Sequence, residues 1–223
     1  MDYNEFYREW KQWPDSVSEL SMLPEGTETV SFYRQKNSHK GIHKLVDIKE
    51  LSAKQVNQGF LEEIGRLNKL ERLHIEVLTA ESLEPLTRLD NLRFLRLGSV
   101  RNVREFGSIL ELKSLEKLFI ENAKYLNDVE FLRGANNLIA IGVEGGMYKQ
   151  QKVDSLEPFS KLNTLEALFM SSVQLRDKNL DYLATIPNLK YLGSARFAQK
   201  SSFTSLRKLM PELTCRWCDV YEV

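Results

Sequence analysis

The 223-residue chain is 42% hydrophobic and 28% charged, an ordinary globular composition. Its 31 Lys and Arg residues balance 31 Asp and Glu residues, so the basic excess of a general polyanion binder is missing and nucleic acid is not the expected partner. No apolar run has the length of a membrane span, and the charged stretch MDYNEFYREWKQWPDS lacks the apolar centre of a signal peptide, so no membrane partner and a cytoplasmic location are expected.

Residues 1–42 read as an N-terminal cap. In DYNEFYREWKQW, Phe6, Trp10 and Trp13 recur at spacings of four and three, which predicts an amphipathic helix that Pro14 stops. TETVSFYRQ alternates as a strand should, and the turn-rich KNSHKG follows. Together they predict a hairpin over the first repeat, with the helix packed on it; the alternative is an amphipathic helix that binds a partner. HKLVDIKEL then reads as a degenerate repeat with Val46, Ile48 and Leu51 pointing inward. His39 and His43 stand four apart but in a turn, without a third ligand at a recognised spacing, so no metal site is expected.

From Leu70 onward one pattern dominates. L-x-x-L-x-L fits LERLHI, LRFLRL, LEKLFI, LIAIGV and LEALFM, and more loosely LKYLGS. The first positions are 70, 92, 115, 138, 165 and 189, spaced by 22, 23, 23, 27 and 24, with a weak further copy from Leu213. The other half of each unit repeats too. Leu61, Ile64 and Leu67 precede Leu70 at steps of three, as Leu83, Leu86 and Leu89 precede Leu92 and as Leu156, Phe159 and Leu162 precede Leu165. SLEP occurs twice in the same phase, at 82–85 and 155–158. Steps of three suit a short α- or 3-10 helix.

This pattern resembles the leucine-rich-repeat family over roughly residues 43–223. The resemblance implies an α/β curved solenoid, with about seven parallel strands on the concave face and short helices on the convex face. The chain then divides into a helix-and-hairpin cap at 1–42, repeats at 43–212 and a C-terminal capping strand at 213–223. One departure stands out. The family's usual turn Asn or Cys is replaced by Leu78, Val100, Ala123, Gly146, Val173 and Phe197, so the turns need another source of hydrogen bonds.

Side chains alternate along a strand, so the residues flanking the inward leucines face the concave surface. These include Phe94, Arg96, Lys117, Phe119, Glu121, Glu144, Phe169 and Tyr191, and in the weak last copy Cys215 and Trp217. Exposed aromatics in one patch mark a contact surface. Phe119 and Phe169 should stand roughly 10 Å apart across two strand spacings, with Ala140 and Gly142 as a low floor. The expected partner site is therefore Phe94, Arg96, Lys117, Phe119, Glu121, Glu144, Phe169, Tyr191 and Trp217. Three alternatives stand beside it: the aromatics can serve sheet packing alone, a phase shift of one residue would bury the whole set, or the Gly145–Lys152 insertion in the longest repeat can carry the contact.

Catalytic chemistry is not signalled. CRWC, read as a strand, holds Cys215 and Cys218 roughly 10 Å apart, so both should be free thiols. His74 lies between Arg72 and Glu76, without a serine or cysteine evident in the adjacent strand, and reads as a rim contact. No nucleotide, zinc-protease or hydrolase motif is present, and no cofactor is expected. The resemblance implies a non-enzymatic module that binds another protein, as an adaptor or as an inhibitor. The chain is similar to small freestanding bacterial repeat proteins, some of which are immunity proteins that block a toxin. The other readings are a peptide- or carbohydrate-binding receptor domain, and an enzyme with a site near His74 and Glu76.

Overall fold

A computed structural model describes residues 2–221 of the chain. In chain order it contains helix α1 (Tyr3–Arg8), strands β1 (Thr29–Tyr33) and β2 (Glu50–Lys54), helix α2 (Gln58–Ile64), strands β3 (Arg72–Ile75), β4 (Phe94–Gly98), β5 (Lys117–Glu121), β6 (Ala140–Glu144), β7 (Gln151–Val153), β8 (Ala167–Met170), β9 (Val173–Leu175) and β10 (Tyr191–Ser194), and helices α3 (Lys200–Leu209) and α4 (Arg216–Asp219). The described residues form two compact units, one of residues 10–115 and 123–125, the other of residues 2–9, 116–122 and 126–221.

In the unit of residues 10–115, β1, β2, β3 and β4 lie side by side and all pair in parallel. Leu51, Leu73 and Leu95 stand in register and are fully buried. The return paths are α2 and 3-10 turns at Glu84–Arg88 and Gly107–Glu111. Residues spaced by three, such as Leu83, Leu86 and Leu89, put one side chain per 3-10 turn into the core. Pro85 opens its turn, where a missing amide proton costs nothing.

In the other unit, β5, β6, β8 and β10 lie side by side, again all parallel. Here the buried row is Leu118, Ile141, Leu168 and Leu192. Strands β7 and β9 form a separate parallel pair. Helix α3 closes the C-terminal side with Phe203 and Leu206 buried.

The missing asparagine ladder has a two-part replacement. Leu78 and Val100 are buried and continue the pairing as isolated parallel bridges, Val56 to Leu78 and Leu78 to Val100, and Val173 does the same within β9. The chain leaves β2, β4, β5 and β8 through left-handed residues Gln55, Ser99, Asn122 and Ser172. A second ladder precedes the strands. Asn91 Nδ2 donates to the Asn68 carbonyl at 2.8 Å and Asn188 Nδ2 to the Asn163 carbonyl at 2.6 Å, each reaching one repeat back.

Four expectations at the ends are corrected. The alternating strand Thr29–Tyr33 pairs in parallel with β2, so it is a repeat strand and not half of a hairpin. Eight strands therefore hold the repeat phase among the described residues, four per unit, where about seven were expected. Val46 is exposed, because the preceding turn Ile42–Lys44 sends Ile42 inward in its place, while Ile48 and Leu51 are buried as expected. The segment from Leu213 is no capping strand: Thr214 makes one bridge to Tyr191 and the chain then turns into α4, while residues 222–223 lie outside the described part. Leu95 and Leu118, both fully buried mid-row, should each cost roughly 2–5 kcal/mol when truncated to Ala. Chemical denaturation of the two variants tests this, and unchanged midpoints would reject the core assignment.

Candidate protein-interaction face

Apart from Trp217, the residues expected on the face opposite the leucines lie along it, but the face is not open. Phe119, Phe169 and Tyr191 form a row: the Phe119 and Phe169 ring centroids are 5.6 Å apart, closer than the roughly 10 Å that two strand spacings predict, and Tyr191 on the adjacent strand lies 5.1 Å from Phe169. The cause is glycine. Phe119 and Phe169 flank Gly142, and Phe169 and Tyr191 flank Gly193. A Cβ at Gly142 would sit 2.4 Å from the Phe119 ring, so only glycine lets the rings lean together there.

On this row lies α1. Asp2 caps the helix by accepting from the Asn4 and Glu5 amides, and Glu9 ends it in a left-handed turn at φ 46°. Arg8 is the anchor. Its guanidinium makes a bidentate pair with Glu144 at 2.6 and 2.7 Å, and its carbon lies 4.3 Å from the Phe169 centroid and 5.4 Å from that of Phe119. Tyr7 is buried and its hydroxyl donates to Glu166 at 2.5 Å. Burial and that bond push the Tyr7 hydroxyl above its ordinary pKa, and the same bond holds Glu166 below the usual carboxylate range. Tyr3 stacks on Tyr191 at 5.6 Å, and Lys117 pairs with Glu9 and donates to the Phe6 carbonyl. As a result Phe169 is 0% and Phe119 3% exposed, and Lys117 and Glu144 are buried.

In the other unit the following residues lie along the strand face. The Arg96 guanidinium stands 5.1 Å from the Trp10 ring, Lys11 pairs with Glu50, and the Trp13 ring lies 6.2 Å from His74. Val17 then pairs with the backbone of Ser31 and Tyr33, which covers the edge of β1. Phe94 is 7% exposed, with the Arg72 guanidinium 4.2 Å from its ring.

The expected exposed aromatic groove is thus corrected to a floor covered by the chain's own first residues. The expected helix over residues 2–13, with Phe6, Trp10 and Trp13 as its buried face, is corrected as well. The helix stops at Arg8, and the buried contacts come from Tyr3, Tyr7 and Arg8, while Phe6 and Trp10 are 52% and 58% exposed. Periodicity could not choose between these sets, because a carboxylate beneath an aromatic pair selects Arg8. Tyr3 and Tyr7 do carry a signal, a spacing of four equal to that of Phe6 and Trp10. Glu121 lies half-buried in register with Glu144. Trp217 leaves the row, since it lies in α4, where its Nε1 donates to the Ser194 carbonyl at 2.7 Å.

His74 has a serine beside it after all, because β2 places Ser52 opposite it in the neighbouring strand. Burial, with Arg96 and Lys54 nearby, lowers the His74 pKa to about 4, so it is neutral near pH 7. Glu76 pairs with Lys54 at 3.5 Å. Among the described residues no group of three or more His, Cys, Asp or Glu side chains could hold a metal ion, and no helix is long and apolar enough to cross a membrane.

No family model matches the sequence, and no curated protein matches it. Solved structures are similar in fold. An internalin, InlF, of Listeria monocytogenes superposes with a TM-score of 0.60 over 80% of this chain at 16% identity. The chain spans about half of that protein, 52% of its length. The TLR13 complex with a single-stranded RNA gives 0.64 over 81% of this chain at 18% identity, covering 28% of TLR13. The ectodomain of the Arabidopsis thaliana receptor kinase GASSHO1/SCHENGEN3, in complex with Casparian strip integrity factor 2, gives 0.52 over 75% at 16% identity, covering 21% of that ectodomain. With its parallel strands and 3-10 return turns, this chain has the leucine-rich-repeat fold.

Two tests bear on this face. Arg8→Met leaves the Glu144 carboxylate buried without its cation and should destabilise the protein by about 3–5 kcal/mol. Adding Glu144→Gln should recover part of that loss, and no recovery in the double variant would reject the clamp. The second test is pH. The unfolded chain binds a proton at His74 near the ordinary value of 6.5 and the folded chain near 4, so the stabilising effect is complete above pH 6.5 and fades as pH falls toward 4. Between pH 7.5 and 5 the wild type should lose about 2 kcal/mol more than His74→Gln. Equal losses in urea unfolding would show that His74 titrates normally.

Proposed function

We propose that this protein is a non-enzymatic module that binds another protein through its strand face, with the N-terminal segment in place as part of the contact. The observation that carries this reading is Phe6, which turns half of its surface to solvent while Tyr7 and Arg8 beside it are anchored. In the other unit, taken by itself, Trp10 is 58% exposed. Large aromatics on a preorganised backbone are the side chains that dominate protein interfaces. The nine residues of the sequence-derived site then divide into roles. Phe119, Phe169 and Tyr191 support α1 from beneath, and Lys117 and Glu144 hold it. In the other unit Arg96 lies against Trp10 and Phe94 against Arg72; Glu121 stands in register with Glu144, and Trp217 stands apart in α4.

Balanced charge supports a protein partner over RNA, although TLR13 carries RNA in its complex. The plant receptor ectodomain in complex with Casparian strip integrity factor 2 is an instance of this fold holding a partner. The inhibitor form of the proposal, in which a toxin or enzyme is blocked, and the adaptor form share this contact. They separate on one measurement: the partner's own activity is lost in the complex with an inhibitor and kept with an adaptor.

The test is affinity capture from the source cells with wild type, Phe6→Ala and Trp10→Ala, followed by titration of the captured partner. Each substitution should weaken binding by about 2–4 kcal/mol, roughly thirty- to thousand-fold, with the fold unchanged. Arg88→Ala and Lys161→Ala serve as controls. Full binding by both aromatic variants, with loss only on replacing Met147 and Tyr148 at the exposed tip of the Gly145–Lys152 insertion, would move the contact to that loop.

A further inference from the structure

The C-terminal turn holds two sulfurs that the binding reading does not use. Cys215 is buried and Cys218 half-buried, and both are free thiols. The strand expected there would have kept them roughly 10 Å apart. The turn does the opposite. Cys215 precedes α4 and Cys218 lies within it, with the Cys218 amide donating to the Cys215 carbonyl at 3.1 Å. An i to i+3 hydrogen bond of this kind closes a turn whose end Cα atoms lie within about 7 Å. That bound covers the range of about 4.4–6.8 Å that a disulfide requires.

The side chains meet as well. A hydrogen bond between the two thiols holds Cys215 below the ordinary thiol pKa and, with burial, pushes Cys218 above it. The backbone around them is fixed from both sides. Arg207 donates to the carbonyls of Met210, Pro211 and Leu213 and pairs with Asp219 at 2.5 Å, while Trp217 is bonded to the Ser194 carbonyl. Joining the sulfurs therefore asks for side-chain torsions and not for a new backbone path.

We propose that Cys215 and Cys218 are a reversible dithiol–disulfide pair, a modification site for small disulfide oxidants at the C-terminal turn. Cys218, the more accessible sulfur, attacks one sulfur of a disulfide such as oxidised glutathione as its proton passes along the thiol–thiol bond to Cys215. A mixed disulfide forms, and one glutathione thiolate leaves and takes up that proton. Cys215 thiolate then attacks the Cys218 sulfur, the intramolecular bond closes and the second glutathione thiolate leaves. Two electrons pass from the pair to the oxidant, and the two protein thiol protons end on the two glutathiones.

The experiment exposes folded full-length protein to excess oxidised glutathione, quenches in acid, alkylates under denaturing conditions and weighs the product. Wild type should lose both alkylatable thiols, carry no glutathione and weigh two hydrogens less than the reduced chain, and dithiothreitol should restore both thiols. Cys215→Ser should instead retain one glutathione on Cys218, because the resolving sulfur is gone. Wild type that keeps both thiols alkylatable, or that stops as a glutathione adduct, overturns the proposal, and this result stands whether or not the serine variant folds.

Discussion

A single repeat of this chain cannot bury its own leucines. Each unit of strand and return turn leaves an apolar edge that only the next copy covers, so stacking is the constraint from which the rest follows. The rows Leu51–Leu73–Leu95 and Leu118–Ile141–Leu168–Leu192 are that constraint made visible, one residue per strand in unbroken parallel register. Once the leucines face one way, the side chains between them must face the other. The strand face is thus a by-product of core formation, and its chemistry was free to become something else.

What it became is a cradle for the chain's own beginning. Glycines at 142 and 193 remove side chains between aromatic neighbours and let Phe119, Phe169 and Tyr191 close into one row. Glu144 beneath that row would be costly to bury alone, and Arg8 satisfies it with two hydrogen bonds while its flat guanidinium covers two rings. The segment is too short to be a stable helix in isolation. It is ordered by the surface on which it lies. A preordered segment loses less freedom on meeting a partner, which is why Phe6 is proposed as an anchor.

The repeats also show how a fold keeps its geometry while changing its hydrogen-bond solution. Where an asparagine would satisfy the turn, this chain extends the backbone pairing by one residue and buries Leu78, Val100 or Val173 there. Side-chain bonds move to the opposite end of the strand, where Asn91 and Asn188 reach one repeat back. Backbone groups must be paired in the interior, but which groups pair them is open to choice.

The sequence by itself determined the repeat, the inward leucines, the 3-10 return turns and the direction of Phe94, Phe119, Phe169 and Tyr191, because these depend on spacing of two, three and twenty-odd residues along the chain. It also carried the aromatic character of the face. Only the tertiary structure decided what lies on that face. Residues Tyr3 to Arg8 and Lys117 to Tyr191 are more than a hundred positions apart, and the Arg8–Glu144 pair leaves no periodic trace. The parallel pairing of Thr29–Tyr33 was hidden for a related reason: an alternating strand reads the same whichever way its neighbour runs, and hydrogen-bond partners settle the direction. At the C-terminus, four residues from Cys215 to Cys218 fit a strand or a turn equally well in sequence. Packing against α3 and the bond from Trp217 to Ser194 chose the turn, and that choice set the distance between the two sulfurs.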